Sequence, residues 1–259
     1  MLLCLDIGNT HLVGGVFDKN QLLLQFRYDS KQIGTSDSLG IFIRSVLLEN
    51  NINYKLIDEV SIASVVPFID YTIRATCIKY LNNINPLFLT AETITNIVIN
   101  VKNPNEVGAD LIASAVAARD LFPDKHLLIF DLGTATSGCY ISNKGYFNGV
   151  SIAPGAKLMM TSLHSSTAKL MSVNIIKPYN VIGKDTLTAI QSGVYYSQLG
   201  LLEKITELTI LENNIDKNEL IIIVTGGFSY LFTDNPLFKN VIPELILLGL
   251  KKIIEFNRN

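Results

Sequence analysis

The feature of this sequence that most restricts its fold is an internal resemblance between two segments about half the chain apart. Residues 2–10, LLCLDIGNT, align with residues 127–135, LLIFDLGTA, with aspartate on aspartate and glycine on glycine. Each Asp-x-Gly turn leads into a second strand-like stretch, at residues 12–17 and 137–141, and a polar turn follows at 18–20 and 143–145. Because apolar runs joined by such turns form β-hairpins, the sequence predicts two matching hairpins and hence an internal duplication.

The rest of the chain indicates an α/β fold. Strand-like runs at residues 59–63 and 220–224 alternate with stretches of helical periodicity. The predicted helices cover residues 37–49, 68–81, 106–121, 186–211 and 243–257. Alternation of this kind means helices packed on sheets. No low-complexity linker is present, so we divide the chain into an amino-terminal domain, residues 1–115, and a carboxy-terminal domain, residues 116–259.

Charge and hydropathy exclude several classes of partner. The chain has 21 basic and 23 acidic side chains, without a block of like charge, so neither nucleic acid nor an anionic membrane is an expected partner. No apolar run is long enough to span a bilayer. The first residues lack a basic segment and soon reach Asp6, which indicates a buried strand and a cytoplasmic protein rather than a signal peptide. Cys4, Cys77 and Cys139 form no Cys-x-x-Cys pair, which predicts buried reduced thiols.

The two Asp-x-Gly turns carry the first candidate chemistry. Asp6 and Asp131 each end an apolar strand, where a carboxylate is costly to desolvate unless a cation or hydrogen-bond donors meet it. Gly8 and Gly133 have no Cβ, so successive main-chain N–H groups in each turn can point at phosphate oxygens. Two such turns facing each other across a cleft would hold a polyphosphate and its Mg²⁺ between two domains. The alternative is that each aspartate only caps its turn.

A third apolar strand runs into Thr225-Gly226-Gly227, where two glycines would let an adenine ring lie against bare backbone. On its own, such a turn is more often only the start of a helix.

Other nucleotide and hydrolase motifs are absent. The segment GKDT at 183–186 resembles the end of a P-loop, but it lacks the first glycine and has Asp185 where Ser or Thr must bind Mg²⁺. The dinucleotide fingerprint, the zinc-protease motif and the serine-hydrolase motif do not occur.

Asp110 is the candidate for the chemical step. It lies near the start of an alanine-rich helix that Pro104 is suited to begin. In phosphoryl transfer, one carboxylate accepts the proton of the attacking hydroxyl, and Asp110 could be that base. An aspartate in a first helical turn is also commonly there because it interacts favourably with the helix dipole, so both roles remain open. His11 could touch a nucleotide or be an incidental strand residue.

Eight segments occur in the order found in type III pantothenate kinases, and the chain resembles that family over essentially its whole length. Each segment is unspecific by itself, whereas eight in sequence are hard to obtain otherwise. They are DIGNT at 6–10, NP at 103–104 with EVGAD at 106–110, DLGTAT at 131–136, IAPG at 152–155, TAKL at 167–170, IGKDT at 182–186, TGG at 225–227 and LGL at 248–250.

The resemblance implies a member of the acetate and sugar kinase, Hsp70 and actin superfamily, with two ribonuclease-H-like (actin-like) domains, a nucleotide cleft between them, and a homodimer. The implied reaction is ATP-dependent phosphorylation of pantothenate to 4'-phosphopantothenate, the first step of coenzyme A biosynthesis. The implied cofactors are Mg²⁺ and a monovalent cation, K⁺ or ammonium.

Site residues follow from the resemblance by position. Asp110 would be the proton acceptor, Asp131 would bind the monovalent cation, and Thr134 would contact ATP. The ATP phosphates would be lined by Asp6, Ile7, Gly8, Asn9, Thr10, His11, Leu12 and Val13. Pantothenate would be surrounded by Val101, Gly108, Ala109, Asp110, Leu111 and Thr186.

The sequence departs from the family pattern at three positions. Leu111 stands for the usual arginine, Val101 for an aromatic residue and Val150 for a glycine. Loss of the arginine removes a charge-assisted donor, typically worth about 2 kcal/mol, so pantothenate should bind more weakly unless Lys102 substitutes. Three functions therefore stay open: an active pantothenate kinase, a nucleotide-binding regulatory protein without efficient catalysis, and a kinase for another small hydroxy acid.

Overall fold

The computed structural model describes residues 1–166 and 170–258, which form two compact units. The first unit contains Met1–Ile97, Lys102–Ala117 and the segment from Leu245 onward. The second contains Val98–Val101 and Ala118–Glu244. Of the TAKL segment at 167–170, the first three residues lie outside the described part of the chain.

The described residues contain eleven strands and six α-helices. The strands are β1 Leu2–Ile7, β2 His11–Asp18, β3 Gln21–Asp29, β4 Glu59–Ser64, β5 Leu87–Phe88, β6 Val98–Ile99, β7 His126–Leu132, β8 Ala135–Ile141, β9 Tyr146–Pro154, β10 Leu220–Thr225 and β11 Asn240–Val241. The helices are α1 Ser36–Glu49, α2 Asp70–Tyr80, α3 Ala109–Leu121, α4 Ala156–Ser165, α5 Thr186–Asn213 and α6 Leu245–Phe256. None of these helices is long and apolar enough to cross a lipid bilayer.

The two units repeat one sheet topology. The strand order is β3-β2-β1-β4-β5 in the first unit and β9-β8-β7-β10-β11 in the second, where β6 adds a further edge beside β9. In both sheets the first strand pairs antiparallel with the second and parallel with the fourth. The predicted hairpins are therefore the first two strands of matching three-stranded meanders, and the expected internal duplication is confirmed.

The central strands β1 and β7 carry apolar runs, at residues 2–5 and 127–130, because both faces of each strand are covered there. In the first unit Leu5 packs into a core with Leu39 of α1 and Ile73 of α2. In the second unit Phe130 packs into a core with Leu202 of α5. Helix starts follow local chemistry: Thr35 and Ser38 form a capping box before α1, and Asp185 and Thr188 form another before α5.

The C-terminal helix α6 belongs to the first unit, whereas our sequence-based division assigned residues 116–259 to the second. It packs on β1, β2 and β4. Gly249 lies so close to Ala113 of α3 that a Cβ would overlap its carbonyl oxygen. Arg258 donates two hydrogen bonds to Glu59, of 2.9 and 2.6 Å. Periodicity predicts that α6 is a helix with an apolar face, but it does not say which sheet that face covers.

Four of the predicted helices correspond closely to α1, α2, α5 and α6. The fifth starts later than predicted, because residues 104–106 form a separate 3₁₀ turn before α3. Helix α4 and the two-residue strands β5, β6 and β11 were not predicted, since such short segments give little periodicity. The three cysteines are buried and free, as expected. Burial raises the pKa of the Cys77 thiol to about 12.

Candidate active site

The first acidic turn lies at the carboxyl end of β1. Asp6 is paired with Val13 of β2 and Ala63 of β4, so it occupies the last part of the central strand. Residues 8–10 connect β1 to β2, and the Gly8 N–H donates to the His11 carbonyl at 3.0 Å. That N–H is therefore engaged within the turn, which corrects the expectation that it points at phosphate. The exposed Asn9 lies at the tip.

A buried serine holds this turn from outside the hairpin. The Ser30 hydroxyl donates to the Gly8 carbonyl at 2.6 Å, and the Ser30 N–H donates to the Thr10 carbonyl at 3.0 Å. Because a carbonyl and the following N–H share one peptide plane, the first bond fixes the direction of the Asn9 N–H. Sequence reasoning missed Ser30, since nothing in the residues after β3 marks a serine that reaches back to the turn.

The eight residues expected at the ATP phosphates divide by exposure. Ile7 and Leu12 are completely buried in the core of the first unit, which leaves only their main-chain atoms for a ligand. Asn9 and His11 are exposed, and the remaining members are half-buried. The half-buried members are Asp6, Gly8, Thr10 and Val13.

Asp110 lies in the first turn of α3, and its Oδ1 accepts the Leu111 N–H at 2.8 Å. A Cβ at Gly108 would overlap this Oδ1 and would lie 3.5 Å from Val65 Cγ1. The Val65 N–H in turn donates to the Ile7 carbonyl at 3.0 Å. These contacts connect Asp110 through Gly108 and Val65 to the end of β1. The first unit therefore carries both the first acidic turn and the candidate base.

Burial raises the pKa of Asp110, although main-chain hydrogen bonds from Leu111 and from Asp110 itself lower it in part. Within the described residues, Asp110 forms no ion pair with a cationic side chain. A carboxylate with a raised pKa accepts a proton more readily than an exposed aspartate does, which suits a general base.

The second acidic turn is one residue shorter. Asp131 pairs with Ser137 of β8 and Thr225 of β10, and only residues 133–134 separate β7 from β8. The Gly133 N–H donates to the Ala135 carbonyl at 3.0 Å, so it too is engaged within its own turn. Phe228 donates its N–H to the Leu132 carbonyl at 3.0 Å. The turn is thus bonded to the loop that follows β10.

Two glycines outside the second turn allow its neighbours to approach. Gly226 has a φ of +88°, and a Cβ there would overlap Asp131 Oδ1 and lie 2.6 Å from the Leu132 nitrogen. The Gly155 N–H donates to the Thr134 carbonyl at 3.1 Å, and a Cβ at Gly155 would overlap the carbonyl oxygens of residues 133 and 134. Asp131 and Gly226 are therefore brought together, a contact that the sequence did not predict. Gly227 is exposed, with open space where a Cβ would stand.

The residues expected around pantothenate lie in both units. Gly108, Ala109, Asp110 and Leu111 are consecutive in the first unit, and Lys102 is an exposed residue of that unit. Val101 is a half-buried residue of the second unit. Thr186 is the exposed first residue of α5, in the second unit.

The described residues contain no group of three or more His, Cys, Asp and Glu side chains that could hold a metal ion by themselves. A cation at Asp131 would therefore complete its shell with main-chain carbonyls, hydroxyls, water or substrate oxygens, which are the ligands hard cations prefer. Gly226 packs tightly against the Asp131 carboxylate, so a cation at Asp131 would have to approach from another side.

Comparison with known proteins finds the same family over nearly the whole chain. A family model described as type III pantothenate kinase matches residues 2–208. The type III pantothenate kinase of Legionella pneumophila (strain Paris) is 44% identical over 251 residues, covering 97% of both chains. The type III pantothenate kinase 1 of Francisella tularensis subsp. holarctica (strain OSU18) is 41% identical over 258 residues, covering 100% of both.

The fold also resembles that of solved kinases. A Sinorhizobium meliloti protein assigned as a 2-dehydro-3-deoxygalactonokinase superposes with a TM-score of 0.60 at 9% identity, covering 98% of both chains. At this identity the similarity concerns the fold alone, and it agrees with two actin-like, ribonuclease-H-like units in an α/β protein. With the family model and the relatives above 40% identity, the conclusion is direct: this chain belongs to the type III pantothenate kinase family.

Proposed function

We propose that this protein transfers the γ-phosphoryl group of ATP to the primary hydroxyl of pantothenate, with Asp110 as the proton acceptor. Membership of the family supports the reaction, which is the first step of coenzyme A biosynthesis. The observation that carries the assignment of Asp110 is a carboxylate with a raised pKa, held beside the end of β1.

Asp110 contributes a fixed base. The Leu111 N–H holds one carboxylate oxygen, and buried alanines at residues 113, 115, 117 and 118 pack α3 tightly against its surroundings. Phosphoryl transfer depends mostly on positioning and charge neutralisation, so a rigid carboxylate that removes the hydroxyl proton suits the step. The raised pKa makes Asp110 a stronger proton acceptor than an exposed aspartate.

The first acidic turn supplies part of the phosphate site. Because Gly8 N–H is engaged with His11, we assign phosphate binding to the Asn9 N–H, which Ser30 orients, and to polar groups of Thr10 and His11. In the second unit, Thr134 contacts ATP, and Gly226 and Gly227 offer bare backbone to the adenine. A divalent metal ion accompanies ATP in this chemistry and neutralises charge that develops on the phosphates.

The monovalent cation site is assigned to Asp131. The position of Asp131 in the family pattern supports this role for K⁺ or ammonium, with its carboxylate as one anionic ligand. Around pantothenate, the apolar Leu111 supplies no cation, and Lys102 is our candidate for one because it belongs to the same unit and is exposed. Substitution of Lys102 by Ala should raise the KM for pantothenate; an unchanged KM would remove this residue from the site.

A homodimer is the proposed assembly. The resemblance to the family supports it, and the second unit exposes large apolar side chains that an interface can cover. Ile152 on β9 is 68% exposed, Ile182 is 79% exposed, and Tyr179 is fully exposed. Light scattering on the eluted protein should give twice the mass of one chain, and a monomer at micromolar concentration would contradict the proposal.

The assignment of Asp110 is tested by Asp110→Asn with ATP, Mg²⁺, K⁺ and pantothenate. We expect kcat to fall by about 10²–10⁴, the usual contribution of a general base. In the unaltered enzyme, kcat/KM should fall as pH drops through a pKa above that of an ordinary aspartate, because protonated Asp110 accepts no proton. This acid limb should be absent in the variant. Asp120→Asn, at the exposed end of the same helix, is the control.

Other outcomes separate the remaining functions. ATP binding without phosphorylation of any acceptor would favour a regulatory nucleotide-binding protein. Phosphorylation only of other hydroxy acids would indicate a different substrate for the same fold. Formation of ADP in step with consumption of pantothenate is the result we expect.

A further inference from the structure

A buried glutamine of α5 connects β8, the strand that follows the second acidic turn, to the end of β9. The Thr136 hydroxyl donates to Gln198 Oε1 at 2.5 Å, and Gln198 Nε2 donates to the Pro154 carbonyl at 3.0 Å. The same Nε2 lies 3.2 Å from the Met159 sulfur. Thr136 and Gln198 are each only 2% exposed. The amide therefore uses both of its ends inside the protein.

Both ends of this bridge adjoin Thr134. Thr136 lies two residues after Thr134 on β8, and Pro154 directly precedes Gly155, whose N–H donates to the Thr134 carbonyl. In the register of β8 and β9, Ala135 is paired with Pro154 and Thr136 with Ala153. Gln198 thus joins β8 and β9 at the end where both strands adjoin Thr134.

We propose that Gln198 is a positioning residue for the ATP-binding turn of the second unit. By fixing Thr136 and the Pro154 carbonyl together, it holds the Thr134–Gly155 contact in place and with it the direction in which Thr134 meets ATP. Buried polar networks of this kind specify one arrangement when every member is bonded. The inference rests on the proposed function, since it assumes that Thr134 contacts ATP.

Helix α5 offers a matched control. Gln191 lies seven residues before Gln198, is 7% exposed, and donates its Nε2 to the Asn174 carbonyl at 2.9 Å. It therefore has the same side chain and a similar burial, and also bonds a main-chain carbonyl. In the part of the chain that the structure describes, this hydrogen bond goes to residue 174 and not to the second acidic turn. Gln198→Met and Gln191→Met should lower the free energy of unfolding by similar amounts but should differ in their effect on the KM for ATP.

The first experiment compares these variants in steady-state kinetics. For Gln198→Met we expect the KM for ATP to rise about tenfold, because a displaced contact group costs up to about 10²-fold. The KM for pantothenate should change little, and Gln191→Met should leave both constants near those of the unaltered enzyme. Equal effects of both variants on ATP, or no effect of Gln198→Met, would overturn the proposal.

The second experiment separates positioning from stability. In Thr136→Val/Gln198→Met both partners of the short hydrogen bond are apolar, which leaves fewer buried groups unsatisfied and should recover part of the lost stability. The KM for ATP should nevertheless stay raised, because the bridge is still absent. A return of this KM to its original value along with the stability would reduce Gln198 to a structural role and refute the inference.

Two further measurements keep the result interpretable. If Gln198→Met fails to fold, Thr136→Val and Thr136→Ser replace it: the serine keeps the hydroxyl and should preserve ATP affinity, whereas the valine should lower it. ADP binding measured by calorimetry tests the bridge without pantothenate. Should the unaltered protein bind ADP but not phosphorylate pantothenate, the proposed function fails while the calorimetric comparison still decides on Gln198.

Discussion

The two acidic turns occupy the same place in duplicated sheets but are held in different ways. The first turn has three residues, and its main support from outside the hairpin is the side chain of Ser30. The second has two residues, and main-chain N–H groups of Gly155 and Phe228 bond to it. The duplication thus preserves strand order and the position of the aspartate, whereas each turn is supported by different neighbouring residues.

Close packing makes the loops around the second turn intolerant of larger residues. A Cβ at Gly8 would come no nearer than 3.3 Å to a neighbouring atom, the His11 carbonyl oxygen. At Gly155 and Gly226, by contrast, a Cβ would overlap main-chain carbonyl oxygens or the Asp131 carboxylate. The turn glycines themselves are similar, since a Cβ at Gly133 would lie 3.6 Å from the Ala135 carbonyl oxygen, and the second turn differs in its dependence on glycines in the loops that contact it.

The largest effect is expected from Gly226→Ala. The substitution places a Cβ at a φ of +88° and against Asp131 Oδ1, so strain and overlap act together. We expect the free energy of unfolding to fall by about 3 kcal/mol, measured by urea denaturation, with nearly complete loss of kinase activity. Gly8→Ala should cost about 1 kcal/mol or less. Equal destabilisation by both substitutions would contradict the difference between the turns.

A smaller effect should follow from the choice of monovalent salt. If the second turn holds this cation at Asp131, replacing K⁺ by Na⁺ should lower activity about tenfold, the usual scale for a disturbed metal site. In Asp131→Asn the activity should be low in both salts, with the difference between them lost. Equal rates of the unaltered enzyme in K⁺ and Na⁺ would remove the cation from this turn.

Local pattern explains which of these features the sequence predicted. The apolar strands, the aspartates and the turn glycines are consecutive residues, so the hairpins and the positions of Asp6 and Asp131 follow from the sequence itself. The placement of Asp110 beside the end of β1 needed the structure, because Val65 and Gly108 make that contact from distant segments.

The supports of the turns were not predictable for the same reason. Ser30 is 22 residues from its partner Gly8, and Gln198 is 62 and 44 residues from its partners Thr136 and Pro154. A single serine or glutamine among ordinary strand and helix residues carries no signal of such a contact. Helix α6 is a similar case, since only packing shows that it covers the first sheet.

The smallest predicted effect concerns Ser30→Ala, which removes the hydroxyl that holds the first turn. The Gly8 carbonyl then loses a 2.6 Å hydrogen bond in a part-buried position, so we expect about 1 kcal/mol less stability. The lost hydrogen bond also leaves the direction of the Asn9 N–H less fixed. The KM for ATP should therefore rise about fivefold, the factor that corresponds to 1 kcal/mol of binding free energy.

Thr76→Val is the control for this substitution, because Thr76 is a completely buried residue of the same unit whose hydroxyl bonds main-chain carbonyls of Ser36 and Thr72. Both variants should lose similar stability, and only Ser30→Ala should raise the KM for ATP. If instead the two variants alter the KM for ATP equally, the serine supports the fold without directing the turn. The first acidic turn would then keep its shape through two main-chain bonds, Gly8 N–H to the His11 carbonyl and residue 30 N–H to the Thr10 carbonyl.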